Sequence, residues 1–336
     1  MRPQITGVER WAREMVRRLP QLRPGAYRVI APPRRFAHGL GHLWEQGALP
    51  LLAARARAEL VFSPASLAPL AWPRNVVLIH DAAVLRHPEL YSRLYIAGIS
   101  RLQPLIARQA RRIITVSEHS RRELAEWAGV DAARVTVVPG GVDERFTPDA
   151  DASRSRAALG LAMPYVLTVA AQGARKNLSA LVPAARRLRA EGLELVVAGG
   201  TRSHLDPEAA VDGLRSVGYV PDEYLPGLYA GAAAFVLPSL HEGFGLPCIE
   251  AMACGAPVVA SNRGALPETC GDAALLVDPD DHEAIAEAVL AAALDASVAN
   301  HLRQAGLARA AGFSWDRAAQ QVDAVLSAAH GSPPFA

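Results

Sequence analysis

Short runs of β-branched and apolar residues alternate with amphipathic stretches along the whole chain. This pattern predicts parallel sheets wrapped by helices. In the first half, Tyr27–Ala31, Leu60–Ser63, Val76–His80, Arg112–Ser117 and Val135–Val138 read as strands, and residues 8–19, 92–110 and 118–128 as helices. The second half repeats the theme. Its strands are predicted at Tyr165–Ala170, Leu193–Ala198, Ala234–Pro238, Pro257–Ser261 and Ala274–Val277, and its helices at 177–191, 222–230, 247–254, 281–295 and 316–329. The polar stretch Pro148–Ser153 is where a linker belongs. The expectation is an α/β protein of two doubly wound, Rossmann-like domains facing a central cleft, with ligands beyond the carboxyl ends of the strands. The boundaries expected are 1–152 and 153–313, with the helix at about 314–330 packing back on the first domain.

One feature departs from that scheme. The chain begins at a loop, Arg2–Gly7, and runs straight into the first helix. The first N-terminal strand is therefore expected to be missing: either Met1 is not the natural start, or the N-terminal sheet lacks a central strand.

Composition narrows the class. With 336 residues, 51% apolar and 20% charged, the chain is long enough for two buried cores. It has no apolar run of the ~20 residues that a membrane helix needs, and a cytoplasmic location is expected. The three cysteines, Cys248, Cys254 and Cys270, lack CxxC spacing and read as buried thiols rather than a metal site or a disulfide frame. Charge is lopsided. Residues 1–156 hold 24 Arg against 14 Asp and Glu, a net of +10, and the remainder carries −8. The arginines of the first helix, notably Arg13, Arg17 and Arg18, are either a solvated face or a site for anionic lipid headgroups or a phosphorylated acceptor. Of 35 basic residues, 34 are arginine and one is lysine, Lys176. A bias toward arginine does not explain that exception, which points to a point-charge phosphate binder.

Four constellations carry chemistry. The segment Phe235–Glu250 reads as a buried strand, a loop with Gly243 and Gly245, and a helix opened by Pro247. Glycines let backbone approach a ligand, and a helix start attracts anions. Glu242 stands in the loop and Glu250 one turn into the helix. Each has a plainer alternative, a solvated loop acid for Glu242 and a carboxylate stabilising the helix start for Glu250. In Val169–Asn177 a strand ends, Arg175 and Lys176 follow, and Asn177 is a suitable N-cap for the next helix. Two cations there oppose the helix dipole, and a nearby diphosphate would resolve the conflict. His80 and Asp81 end the third strand candidate. His80 is placed to donate to a sugar with Asp81 orienting it, or else caps a loop. Finally, Gly7 opens the first helix, where backbone could meet phosphate.

These residues bring a family into view. The segment Leu237–Asp281, with PSLHEGFGLPCIEAMACGAPVVAS and ALPETCGDAALLVDPDD, resembles the donor-binding core of glycosyltransferase family 4, whose signature is a glutamate pair placed as Glu242 and Glu250 are. TGVERW at 6–11, IHD at 79–81, VSEHS at 116–120, VVPGGVD at 137–143, ARKNL at 174–178 and FSWDRAA at 313–319 extend the resemblance over nearly the whole chain. It implies the GT-B fold and transfer with retention and without a metal or other cofactor, from a nucleotide-diphosphate sugar. Carried over, Glu250 would bind the ribose, and Glu242 with the Gly243, Phe244, Gly245 and Leu246 backbone would hold the sugar. Arg175 and Lys176 would neutralise the diphosphate, with Gly7 against it, and His80 beside Asp81 would contact the sugar. The backbone of Tyr219 and Val220 would meet the base. Ala170-Ala171 stand where many relatives have Gly-Arg. The ARKNL and IHD segments resemble mannosyl- and rhamnosyl-type enzymes of surface-polysaccharide and lipopolysaccharide assembly, so GDP-mannose is the donor expected. A saccharide or polyprenyl-linked saccharide is the acceptor, at the inner face of the membrane, and nucleic acid is not a partner. An inactive sugar-binding protein and a nucleotide-sugar epimerase of the same fold are the rivals.

Overall fold

The structure, a computed structural model, describes residues 6–33, 41–90, 93–170, 173–200, 211 and 213–331. They fall into two compact units. The first spans Met1–Pro88, Arg93–Gly141 and Trp315–Ala336, and the second Glu89–Ser92 and Val142–Ser314. Arg2–Ile5 and Ala171–Gln172, which belong to two of the predicted loops, lie outside the described residues.

In the first unit the chain runs α1 (Gly7–Leu22), α2 (Gly41–Arg55), β1 (Val61–Ser63), β2 (Asn75–Leu78), α3 (Ala83–Arg86), α4 (Arg93–Gln109), β3 (Arg112–Thr115), α5 (Glu118–Trp127) and β4 (Val135–Val137). The four strands form a parallel sheet in the order β1-β2-β3-β4. Val76–Ile79, Ile113 and Ile114 are wholly buried, as expected of strands covered on both faces. Helix α1 starts where its chemistry says it must. Thr6 and Glu9 form a reciprocal capping box, Thr6 Oγ1 accepting the Glu9 amide and the Glu9 carboxylate accepting the Thr6 amide. Its buried stripe of Trp11, Met15 and Leu19 follows the i, i+4, i+8 spacing of a half-buried helix.

The second unit holds α6 (Ala152–Ala158), β5 (Tyr165–Val169), α7 (Val182–Ala190), β6 (Glu194–Ala198), β7 (Arg215–Gly218), α8 (Leu225–Ala230), β8 (Ala234–Leu237), α9 (Leu246–Ala253), β9 (Val258–Ser261), α10 (Leu266–Cys270), β10 (Ala274–Val277), α11 (His282–Leu294) and α12 (Ala296–Ala310). Its six strands are parallel in the order β10-β9-β8-β5-β6-β7. The chain leaves β5 toward β6 on one side, and leaves β8 toward β9 on the other. The strand order therefore reverses between β5 and β8, and the loops that follow these two strands flank the crevice where such sheets bind ligands. The last helix, α13 (Trp315–Gly331), belongs to the first unit, where it packs on α1. Arg18 pairs with Asp316, and Arg23 with Asp323 and Ser327.

Several expectations need correction. Among the described residues Tyr27–Ala31 pairs with no strand; it crosses the surface with Val29 half exposed and the Tyr27 hydroxyl donating to Asp323. The polar stretch 148–153 belongs inside the second unit, where Asp151 caps α6 through the Arg154 amide. Helix α7 begins only at Val182, after two 3-10 turns, so Asn177 is not its N-cap. The helices α2, α3, α6, α10 and α12 were not predicted, and of the polar edge strand β7 (Arg215–Gly218) only its end was indicated, by the family resemblance at Gly218–Val220. Among the described residues no single helix is long and apolar enough to cross a membrane. The three cysteines are buried free thiols.

Candidate active site

The loop after β5 closes into a 3-10 turn, Ala174–Lys176, in which the Lys176 amide donates to Gly173 O (2.9 Å) and the Asn177 amide to Ala174 O (3.1 Å). The loop after β8 lies across it. The Leu240 amide donates to Arg175 O at 2.9 Å, and Arg175 Nη1 donates to His241 O at 2.5 Å. The two loops thus hold each other's backbones before any charge is considered.

Three charged side chains then converge. Lys176 Nζ lies 2.5 Å from Glu242 Oε1, and Arg175 Nη1 lies 3.2 Å from Glu242 Oε2. All are largely buried, with side-chain exposures of 12%, 20% and 10% for Lys176, Arg175 and Glu242. Burial alone would raise the Glu242 pKa. The Lys176 and Arg175 cations, in that order, outweigh it, the Ser239 hydroxyl adds to their effect, and the carboxyl is held far below the usual range. Burial pulls the Lys176 ammonium down, opposed by Glu242 and reinforced by Arg175. One carboxylate between two cations leaves a net charge of +1 among largely buried side chains, where charge acts strongly.

Glu242 is therefore not a solvated loop acid. Nor do Arg175 and Lys176 stand against a helix start, since the α-helix begins six residues beyond Lys176. Their conflict with a helix dipole disappears, and burial beside a single counter-charge takes its place as the reason an anion would be drawn there.

Packing fixes Glu242 from behind. Gly264 adopts φ +64°, and a Cβ there would lie 2.7 Å from both Glu242 N and Glu242 O. Only glycine admits the contact, and the adjacent Ala265 amide donates to Glu242 O at 2.9 Å. Gly245, at φ +99°, occupies the N-cap of α9, where a Cβ would strike Leu266 Cδ2 at 2.6 Å. Phe244 packs edge-on against Phe313, and its carbonyl accepts from Thr269 Oγ1 at 2.5 Å. Leu246 opens α9 beside them, half buried.

Glu250 lies within α9, 5% exposed, with Oε2 accepting from the Tyr229 hydroxyl at 3.2 Å. Tyr229 is itself buried against Phe146 and Phe235. Beyond β7, Val220 is buried in the core and Tyr219 is half buried.

The remaining candidates belong to the first unit. His80 follows β2 with its ring perpendicular to Trp11 (6.2 Å between centroids), and its Nε2 is buried without a partner among the described residues. Burial pulls its pKa from 6.5 to about 4, against the opposing charge of Asp81. Asp81 does not orient it through a bond: its Oδ1 accepts the Ala83 amide at 3.1 Å, at the start of α3. Gly7 is the exposed first residue of α1.

Four contributors escaped sequence reading. Ser239 and Gly264 were within reach, the first as a small polar residue closing a strand, the second as the glycine of Asn262-Arg263-Gly264. Tyr229 and the actual role of Asn177 left no local signal, because their partners lie 21 and at least 61 residues away.

Comparison with known proteins bears on the family and the fold. Residues 5–146 match the family model described as Glycosyltransferase Family 4, and residues 163–295 match Glycosyl transferases group 1. The chain is 33% identical over 261 residues to the O-antigen chain mannosyltransferase B of Escherichia coli, covering 74% of this chain and 68% of that protein. It is 32% identical over 332 residues to the D-inositol 3-phosphate glycosyltransferase of Actinosynnema mirum, covering 92% and 73%. In fold it matches the Anabaena protein Alr3699/HepE solved with UDP-glucose, with a TM-score of 0.72, 22% identity and 97% of both chains covered. Two parallel-sheet domains, the Glu242–Glu250 loop and helix, and these relatives lead to one conclusion: the chain belongs to glycosyltransferase family 4 and has the GT-B fold.

Proposed function

We propose that this glycosyltransferase moves mannose from GDP-mannose, with retention and without a metal or other cofactor, onto a saccharide or polyprenyl-linked saccharide in cell-surface polysaccharide synthesis. The buried grouping of Lys176, Arg175 and Glu242 at the switch point of the second sheet carries the reading. In it, Arg175 and Lys176 meet the diphosphate, with Gly7 against it. Glu242 and the amides of Gly243–Leu246 hold the sugar, and Glu250 takes the ribose hydroxyls. Tyr219 and Val220 present backbone to the base, and neutral His80 contacts the sugar beside Asp81.

In the reaction the C1–O bond to the diphosphate breaks and a bond from the acceptor oxygen to C1 forms on the same face. The acceptor proton passes to the departing phosphate oxygen. Negative charge grows on the diphosphate as the bond breaks, and cations already fixed in largely buried positions stabilise it there without reorganising. A mannosyl donor is supported by the names of two relatives, the Escherichia coli O-antigen enzyme and, at 36% identity over 69% of this chain, the MMP alpha-(1->4)-mannosyltransferase of Mycolicibacterium hassiacum. This chain spans 57% of the latter.

A second acceptor reading, a small phosphorylated polyol, is favoured by the longer match to the D-inositol 3-phosphate glycosyltransferase. Release of GDP from GDP-mannose, measured with lipid-linked saccharides and with inositol phosphate as acceptors, tests both. Turnover with neither acceptor and no hydrolysis of any nucleotide sugar would favour an inactive binding protein instead.

A further inference from the structure

Asn177 has an unusual place in the second unit. Its backbone is left-handed, φ 54° and ψ 42°, a conformation shared among the described non-glycine residues only with Arg57 and Ser66. Its amide closes the turn that carries Arg175 and Lys176, and its carbonyl accepts the Ala180 amide at 3.2 Å, opening the next turn. Its side-chain Nδ2 donates twice, to Pro279 O at 2.8 Å and to Pro238 O at 3.3 Å. Pro238 begins the loop that leads to Glu242, and Pro279 follows β10. One nitrogen therefore ties together the loops that leave β5, β8 and β10.

Residue chemistry limits what can do this. The position asks for a left-handed backbone, which asparagine tolerates through its short polar side chain. It also asks for two N–H donors on one atom, which aspartate lacks and glycine cannot supply. Lys176 immediately precedes it, so any slip of this joint moves the ammonium relative to Glu242.

We propose that Asn177 is a positioning residue: its double hydrogen bond fixes the Arg175–Lys176 turn against the Glu242 loop and so sets where the Lys176 charge meets the diphosphate. The inference rests on the diphosphate reading of Lys176. Misplacement of a charge by about 1 Å is enough to cost on the order of 100-fold in rate, so a substantial effect is expected from a side chain that touches no substrate.

The test is a double-mutant cycle on the full chain with Asn177→Gly, Lys176→Ala and the pair. Diphosphate affinity is measured by calorimetry with GDP and UDP, turnover is measured alongside, and the melting temperature monitors folding. Asn177→Gly keeps the left-handed backbone and loses only the bridge. It is expected to weaken diphosphate binding and kcat by about 10-fold or more, and to lose that effect when Lys176 is already alanine, since residues acting through one another are not additive. An equal loss in both backgrounds, or no loss in either, overturns the proposal. Asn177→Asp, which keeps the backbone preference and removes both donors, serves the same cycle if the glycine variant does not fold. A Lys176→Ala variant with unchanged diphosphate affinity and turnover would instead sink the diphosphate reading itself.

Discussion

Lys176 Nζ and Glu242 Oε1 are 66 residues apart in the chain and 2.5 Å apart in space. The single lysine of the protein is thus spent on the residue that marks its family. The contact is buried on both sides and shared with Arg175. A buried pair adds little net stability over well-packed apolar residues, yet losing one partner is costly.

Lys176→Ala is expected to lower turnover by about 10²–10³, the usual loss when one preorganised group aimed at developing charge is removed. Lys176→Arg is expected to lose at least ~10-fold, because a planar guanidinium does not reproduce a point charge at a shaped site. Stability should fall by up to about 3 kcal/mol in the alanine variant, at the low end for an orphaned buried charge since Arg175 still faces Glu242. Kinetics and urea unfolding check both halves; normal turnover in the alanine variant would leave Arg175 as the only cation placed there.

Gly264→Ala is expected to destabilise by about 2 kcal/mol or more, from backbone strain and collision with Glu242. Gly192→Ala is the control. Gly192 has φ +77° with nothing within 4 Å of a built Cβ, so it carries the strain without the collision. Denaturation midpoints and turnover of the two variants separate the contributions. Equal behaviour would mean that the Glu242 backbone gives way freely.

His80 provides a pH signature. Its pKa is pulled from 6.5 to about 4 in the folded protein, so between those values the unfolded chain binds the proton first. Its contribution to stability is whole above pH 6.5, falls as pH drops toward 4 and is level below. The gap amounts to about 3 kcal/mol. Unfolding measured at pH 7, 5.5 and 4 should show a shallower acid loss for His80→Gln than for the parent chain. Parallel profiles would show that the imidazole is hydrated.

GDP is expected to raise the melting temperature more than UDP or dTDP at equal concentration, as mass action requires of the ligand bound most tightly by the native state. A preference for UDP would overturn the mannosyl assignment and leave the family untouched.

Arg13 and Arg17 are exposed on α1, Arg17 with one contact to Glu14 at 3.2 Å, whereas Arg18 is largely buried between Glu14 and Asp316. Weak binding to anionic liposomes is therefore expected to depend on Arg13 and Arg17 more than on Arg18, at about 1 kcal/mol per residue. Flotation at low and high salt with each arginine neutralised checks this. Salt-independent flotation would exclude the electrostatic account.

What sequence revealed follows from locality. Strands such as Tyr165–Val169 and Ala274–Val277 are continuous apolar runs bounded by polar or turn residues, and they stand where those runs do. Tyr27–Ala31 has the same look, but among the described residues no neighbouring strand receives it. Helix α2 went unseen because its apolar residues are not confined to one face, and β7 because Arg215-Ser216 at a sheet edge reads as loop. Asn177 was misread because helix caps and left-handed joints favour the same short polar side chain. The residues of the candidate site were legible singly. That Glu242 faces both Lys176 and Arg175 was not, because it depends on β5 lying beside β8.

That adjacency also has a consequence for how the protein is made. On the ribosome, Lys176 emerges long before Glu242, because the segment between them contains β6, β7 and all of β8. A growing chain that stops short of the β8 loop has two cations and nothing to balance them, so the turn after β5 cannot be sequestered from water until the strand inserted beside it arrives. Insertion of β8 beside β5 and closure of the charge cluster then become one event, which comes before β9 and β10 complete the sheet.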